Sequence, residues 1–139
     1  CVGAETFWAV FNTKSRRPEG MALPHDHCEK FPNERATLLP FSKIEIADDK
    51  ELIFERKVVL SDLDIVNHVN NVKYLEWCLD LLDETSILEQ KISALEMNFL
   101  KELSLKDQLE IHELLQQDKT TFSITKEGKS VFALELHFK

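Results

Sequence analysis

The sequence contains few cysteines, and their spacing is informative. Cys1, Cys28 and Cys78 are an odd number, widely separated in a chain of 139 residues. A chain of this length can bury an ordinary core without covalent cross-links, so the pattern argues against a disulfide framework. We therefore expect reduced thiols in a cytoplasmic protein.

The sequence also lacks an excess of basic charge and long apolar runs. The net charge is −8 and no basic run is longer than "TKSRRP", which argues against nucleic acid as a partner. No apolar run approaches the roughly 20 residues that a membrane-spanning helix needs. There is no internal repeat or low-complexity tract, and the length favours a single domain. Because the chain begins at Cys1 rather than Met, we expect it to be part of a longer product.

From Glu51 onward the hydrophobic pattern is orderly. "ELIFERKVVL" places Leu52, Phe54, Val58 and Leu60 on one side of a predicted strand. A helix is then predicted, and its apolar arc covers about half of the circumference, as in a helix wrapped by a curved sheet. The residues of this arc are Val72, Tyr74, Leu75, Cys78, Leu79, Leu81 and Leu82.

Four more strands are predicted after the helix. They are "ISALEMNFL", "QLEIHELL", "TFSITK" and "SVFALELHF", and the last has Phe132, Leu134, Leu136 and Phe138 in step. Turns are predicted at 117–119 and at 126–129, where Gly128 can adopt a positive φ. One strand, a long buried helix and an antiparallel meander of four strands make an α+β fold.

The stretch "SDLDIVNHVNNVKYLEWCLDLLDE" crowds polar side chains between the first strand and the helix. The first backbone N–H groups of a helix are unpaired and carry partial positive charge, which suits an oxyanion; here these are at Val69, Asn70 and Asn71. Asp64 and His68 lie just upstream, so the arrangement fits attack on a carbonyl or thioester. Asp and Asn before a helix are also ordinary caps and turn residues, so spacing alone leaves both interpretations open.

The run "DLDIVNHVNNVKYLEW" resembles the signature D-x-N-x-H-V-N-N-x-K-Y of the acyl-acyl carrier protein (acyl-ACP) thioesterases. In this hotdog-fold family the signature opens the central helix of the C-terminal hotdog domain. "ETFWAVFNTKSRRP" is similar to the segment that closes the first hotdog, and "LEMNFLKEL" resembles the strand that bears a catalytic Glu. The resemblance implies a hotdog fold over 45–139, with one long central helix wrapped by a curved antiparallel sheet. It also implies that 1–20 closes a mostly absent first hotdog and that 21–44 is a linker.

The resemblance also implies the catalytic residues. Asp64, His68 and Glu102 match the aspartate, the histidine and the later glutamate of the family. Val66 stands where the family commonly has Asn, and the adjacent Asn67 is the candidate to replace it. The mechanism that we favour is activation of water by Glu102, with Asp64 and His68 as positioning residues. Direct attack on the thioester by the carboxylate of Glu102 or Asp64 is the alternative.

Catalysis by cysteine does not fit this sequence. Leu103 stands where plant-like members of the family have a Cys after the glutamate. Cys78 lies on the apolar arc, about 15 Å from His68 along a helix, and is therefore predicted to be a core residue.

The activity implied by the resemblance is hydrolysis of fatty acyl-ACP to free fatty acid and carrier protein, with no cofactor. A lone hotdog leaves a sheet edge open, so we expect pairing with a first hotdog or with a second copy in a homodimer. The alternatives are an acyl-CoA thioesterase of the same superfamily and a non-catalytic acyl-binding or assembly module. Val66 is the best argument for the non-catalytic module.

The sequence leaves the roles of several other residues undecided. A zinc site at "PHDHC" (His25, His27 and Cys28) would need a second ligand cluster, and none is visible, so a solvated linker is favoured. Trp77 is predicted to pack at a dimer interface or under the linker. Basic residues that could meet an acidic carrier protein, or merely form a polar surface, are Lys14, Arg16, Arg17 and Lys73.

Overall fold

A computed structural model describes residues 3–6, 10–12, 14–15, 17–19, 33–37, 42–88 and 91–139. The chain divides into two compact units, Cys1–Ser42 and Lys43–Lys139. None of the described helices is long and apolar enough to cross a membrane.

The first unit contains a short antiparallel hairpin of β1 (Val10–Phe11) and β2 (Pro18–Glu19). The Asn12 side chain stabilises its turn, because Asn12 Oδ1 accepts the backbone N–H groups of Lys14 and Ser15 at 2.8 Å each. A strand was predicted over "ETFWAVFN", residues 5–12. Of its described residues, Val10 and Phe11 form β1, whereas 5, 6 and 12 are not in a strand; 7–9 lie outside the described residues.

The second unit contains a five-stranded antiparallel sheet with a helix packed on one face. Its elements are β3 (Glu51–Lys57), a 3₁₀ turn (Leu60–Asp62), α1 (Asn71–Leu79), α2 (Glu84–Leu88), β4 (Ile92–Phe99), β5 (Gln108–Leu115), β6 (Lys119–Lys126) and β7 (Lys129–Phe138). The predicted strands, the helix and the α+β class are confirmed.

The strand order is β3-β5-β6-β7-β4, so the prediction of a simple meander is wrong for β4. This strand pairs with β7 at the far edge of the sheet, whereas β3 pairs with β5 at the near edge. The chain then returns across the end of the sheet through residues 100–107. At one side of this crossing loop the N–H groups of Leu100 and Lys101 bond to Val131 O, and at the other side Val58 N–H bonds to Asp107 O.

The core lies between α1 and the sheet. Tyr74, Trp77 and Cys78 of α1 are buried, as the helical pattern predicts. The helix is shorter than the pattern indicates, because after Leu79 the chain continues in i→i−3 turns whose leucines still pack on the core. The buried residues that the sheet contributes to this cluster are Leu109, Ile111, Phe122, Ile124, Val131, Phe132, Leu134 and Leu136.

The predicted apolar side of the first strand is wrong in part. Val58 is buried, but Leu52 and Phe54 are exposed by 45% and 46%, and Leu60 by 75%. The pairing register of β3 shifts between Leu52 and Phe54, and such a bulge interrupts the alternation at Leu52. Phe54 follows the shift on an edge strand of the sheet, and Leu60 lies beyond the strand in the 3₁₀ turn.

Both predicted turns are confirmed. Glu127 and Gly128 adopt φ of 51° and 69° between β6 and β7, the pair of positive values that a type I′ hairpin turn requires. At the other turn, Gln116 N–H donates to Lys119 O at 2.9 Å.

Trp77 packs inside its own unit. The Arg56 guanidinium lies 3.9 Å from the Trp77 ring centroid, and its Nη2 donates to both carboxylate oxygens of the buried Asp62, at 3.2 and 3.0 Å. Asp62 Oδ2 also accepts the Val59 N–H at 2.8 Å. The Arg56 side chain thus ties the loop after β3 to the flank of α1.

Candidate active site

The loop before α1 is a tight turn organised by Asp64. Asp64 Oδ1 accepts the backbone N–H groups of Val66 and His68 at 2.9 and 3.1 Å, and the Asp64 N–H donates to His68 O. Asn67 lies at the turn with φ of 64°, a conformation that Asn adopts more readily than most residues. One oxygen of the Asp64 carboxylate therefore shapes the loop that presents His68.

The structure brings His68 and Glu102 together. His68 Nδ1 lies 3.5 Å from Glu102 Oε2, and their side chains are exposed by 44% and 69%. This distance is longer than a good hydrogen bond, as is common for catalytic pairs without substrate. An imidazole and a carboxylate thus share one solvent-accessible surface.

Glu102 is placed by the residue that follows it. Leu103 is fully buried in the crossing loop, and its backbone is bonded on both sides: its C=O accepts the Val69 N–H at 3.0 Å, and its N–H donates to the Tyr74 hydroxyl at 3.2 Å. Burial raises the pKa of Tyr74 to about 12, so the phenol is neutral at ordinary pH. The crossing loop is therefore fastened to the segment that carries His68.

The start of α1 is capped by Asn70, whose Oδ1 accepts the Val72 N–H at 3.0 Å. Two of the three N–H groups expected to bind an oxyanion are already bonded within the fold: Val69 donates to Leu103 O, and Asn70 donates to Asp62 O. Among the described residues, no acceptor is present for the N–H of Asn71.

A comparison of the sequence with protein-family models identifies the family to which the chain belongs. Residues 45–139 match the acyl-ACP thioesterase C-terminal domain. The chain belongs to the acyl-ACP thioesterase family.

Individual members of the family are similar to this chain over part of their length. The chloroplastic palmitoyl-acyl carrier protein thioesterase of Arabidopsis thaliana is 31% identical over 110 residues, which are 71% of this chain and 26% of the relative. Among solved structures, an acyl-ACP thioesterase of Bacteroides thetaiotaomicron superposes with a TM-score of 0.79 and 22% identity over 93% of this chain and 53% of its own. A 12:0-ACP thioesterase of Umbellularia californica superposes with a TM-score of 0.69 and 20% identity over 93% of this chain and 52% of its own. The structural matches confirm the hotdog fold, and this chain spans about half or less of each of these three proteins.

In this member of the acyl-ACP thioesterase family, neither Leu103, at the position of the plant-like cysteine, nor Cys78 can supply a thiolate nucleophile. Leu103 is buried and has no thiol. Cys78 is fully buried, and desolvation raises the pKa of its thiol to about 12, so the thiolate is not accessible at ordinary pH. The structure thus agrees with the sequence in placing Cys78 in the core.

One cluster of possible metal ligands lies on the sheet face, away from His68 and Glu102. Ligand atoms of Glu96, Glu135 and His137 lie within 4.8 Å of one another. Lys119 Nζ already lies 2.8 Å from Glu135 Oε2, so a protein cation faces this carboxylate, and His137 Nε2 lies 2.9 Å from Glu135 Oε1. The residues proposed from sequence as zinc ligands, His25, His27 and Cys28, lie outside the described residues.

Sequence reasoning missed two interactions that hold the site together. The Tyr74 hydroxyl was counted only as part of an apolar arc, and Arg56 with Asp62 was not singled out. Both had a signal: a buried Tyr hydroxyl needs a partner, and Asp62 lies at the start of the motif.

Proposed function

We propose that this chain is the C-terminal hotdog of an enzyme that hydrolyses fatty acyl-ACP, with water as the nucleophile, to a free fatty acid and the carrier thiol. The supporting observation is that His68 Nδ1 lies 3.5 Å from Glu102 Oε2, which brings an imidazole and a carboxylate together from distant parts of the sequence. The family membership supplies the substrate class.

Glu102 is proposed as the general base. Its exposed carboxylate removes a proton from water as the water oxygen attacks the thioester carbon, and His68 orients the carboxylate or the water. The C–S bond then breaks, and the proton held by Glu102 passes to the departing carrier thiolate. Asp64 holds the His68 loop, and Asn67 is the proposed substitute for the Asn that Val66 replaces. The Asn71 N–H is proposed as the backbone donor to the oxyanion, and one good donor contributes roughly 3 kcal/mol in comparable sites.

Pairing with a second hotdog along β4 is part of this proposal. Among the described strands, none pairs with the outer edge of β4, and the chain runs from the end of β4 to Glu102 within three residues. Four apolar side chains at this edge are exposed by 38% to 46%; they are Ile92, Leu95, Phe99 and Leu100. The other hotdog is a second copy or a first domain to which 1–20 would contribute the closing strand, with 21–44 as the linker.

Sedimentation of the chain by itself tests the homodimer. We expect a dimer that the substitution Leu95→Lys shifts towards monomer, because a buried lysine would be costly at this edge. Thr85→Lys adds the same charge at an exposed position on α2 and is the control. A monomeric parent chain would contradict homodimer formation and leave pairing with a first hotdog as the remaining form.

Assays on matched thioesters test the carrier. We expect kcat/KM for palmitoyl-ACP to exceed that for palmitoyl-CoA by about 10-fold or more. The reason is that an acidic carrier protein offers a folded surface for docking, which CoA lacks. Lys14 and Arg17 are exposed and available to an acidic carrier, whereas Lys73 Nζ already bonds to Glu76 at 2.6 Å. Equal rates would favour the acyl-CoA thioesterase. Undiminished hydrolysis by Asp64→Ala, His68→Ala and Glu102→Ala variants would contradict the proposed site.

The cytoplasmic location expected from the cysteines is also a proposal. Cys78 is a free thiol. The Arabidopsis thaliana relative is named as chloroplastic, so fractionation of cells that express the full gene product is the appropriate test.

A further inference from the structure

Leu103 joins the two halves of the candidate site through its backbone. Its C=O accepts the N–H of Val69, the residue next to His68, and its N–H lies in the peptide bond that follows Glu102. The acceptor for that N–H is the Tyr74 hydroxyl, one turn into α1. Two hydrogen bonds therefore fix the Glu102 backbone relative to the His68 loop.

The Tyr74 ring is held independently of its hydroxyl. It packs against Trp77 and Phe99 with ring centroids 5.6 Å away in each case, and against Phe132 at 5.3 Å. Tyr74 is 2% exposed. A Phe at this position would keep these ring contacts, so removal of the hydroxyl changes one hydrogen bond and little else.

We propose that Tyr74 is a positioning residue for catalysis. Its hydroxyl accepts the Leu103 N–H and thereby keeps Glu102 next to His68. This inference rests on the proposed function, because it assigns Tyr74 a role in that same site. The Glu102 side chain is 69% exposed, so its surroundings constrain it little and its placement depends on the backbone. Without the hydroxyl, the buried Leu103 N–H loses its acceptor and the crossing loop gains freedom to move Glu102 away from His68.

Tyr74→Phe is expected to lower kcat about 10-fold to 100-fold with KM nearly unchanged, because displacement of a catalytic group by about 1 Å has effects of that size. The protection of the Leu103 amide against hydrogen exchange is expected to fall about 10-fold or more relative to amides in β6. A purely structural role would lower protection throughout the sheet and would not separate kcat from KM.

Ile124→Val is the matched control. Ile124 is fully buried in β6 and is distant in sequence from the site, and its truncation costs a comparable amount of stability. We expect it to leave kcat and the relative protection of Leu103 unchanged. The double variant Tyr74→Phe/Glu102→Gln should be no slower than Glu102→Gln alone, since Tyr74 acts through Glu102.

The outcomes separate this inference from the function on which it depends. If Glu102→Gln lowers kcat by about 10²-fold or more while Tyr74→Phe stays within about 2-fold of the parent, the inference is wrong and the proposed function stands. An additive loss in the double variant would also overturn it. If Glu102→Gln hydrolyses acyl-ACP at the parent rate, Glu102 is not the general base and the role of Tyr74 in catalysis is lost with it; only a parent protein that does not hydrolyse acyl-ACP would contradict the proposed function.

Discussion

Glu102→Gln is expected to lower kcat for acyl-ACP hydrolysis by about 10²-fold to 10⁴-fold, the range of a lost general base. The amide has nearly the same shape as the carboxylate but cannot accept the proton from water. Because the Glu102 side chain is 69% exposed, we expect the midpoint of urea unfolding to change little. Steady-state kinetics of the pure variant, with unfolding monitored by tryptophan fluorescence, measures both quantities.

Glu55→Gln provides the control for this substitution. Glu55 is an exposed carboxylate in β3, so the variant has the same change of charge at a site without a catalytic assignment. It should retain the parent rate. Equal rates for Glu102→Gln and Glu55→Gln would show that the pairing of Glu102 with His68 has no role in hydrolysis.

Arg56→Met is expected to lower the free energy of unfolding by about 3 kcal/mol, because it leaves the buried carboxylate of Asp62 without its cation. Asp62 is 4% exposed, and both of its oxygens accept from Arg56. The Met side chain retains apolar contact with the Trp77 ring but offers no positive charge. Urea unfolding of the two proteins, analysed with a shared m-value, measures the difference.

The double variant Arg56→Met/Asp62→Asn separates two contributions to the lost stability: the unpaired buried charge of Asp62 and the loss of packing by the Arg56 side chain. The amide that replaces the Asp62 carboxylate is neutral, so we expect at least about half of the lost stability to return. Lys57→Met removes a positive charge from an exposed position on the same strand and should cost less than about 0.5 kcal/mol. A double variant less stable than Arg56→Met would contradict the buried-charge explanation.

The strands and the core were largely predictable from periodicity. Phe132, Leu134 and Leu136 alternate along β7 and are fully buried, because a strand with one face on a helix needs that pattern. The partner of β4 was not predictable, since a period of two specifies which face is buried but not which strand lies alongside. The exposure of Leu52 and Phe54 was not predictable either, because β3 is an edge strand whose pairing register shifts between these residues, and neither property is visible in its sequence.

The candidate site was predictable only in part. Asp64 and His68 lie close together in the sequence, so their proximity follows from one turn. Glu102 was assigned through the family signature, because contact across the sheet end depends on the whole topology. The hydrogen bond from Leu103 to Tyr74 needs both that topology and the orientation of a buried side chain, and neither is encoded locally.

The path of the crossing loop has a consequence for biosynthesis. The N–H groups of Leu100 and Lys101 bond to Val131 O in β7, the last strand of this sheet to be synthesised. A nascent chain that lacks β7 has the residues of the site but no scaffold on which to align them. The proposed hydrolysis is therefore expected only from chains in which β7 has been synthesised and paired.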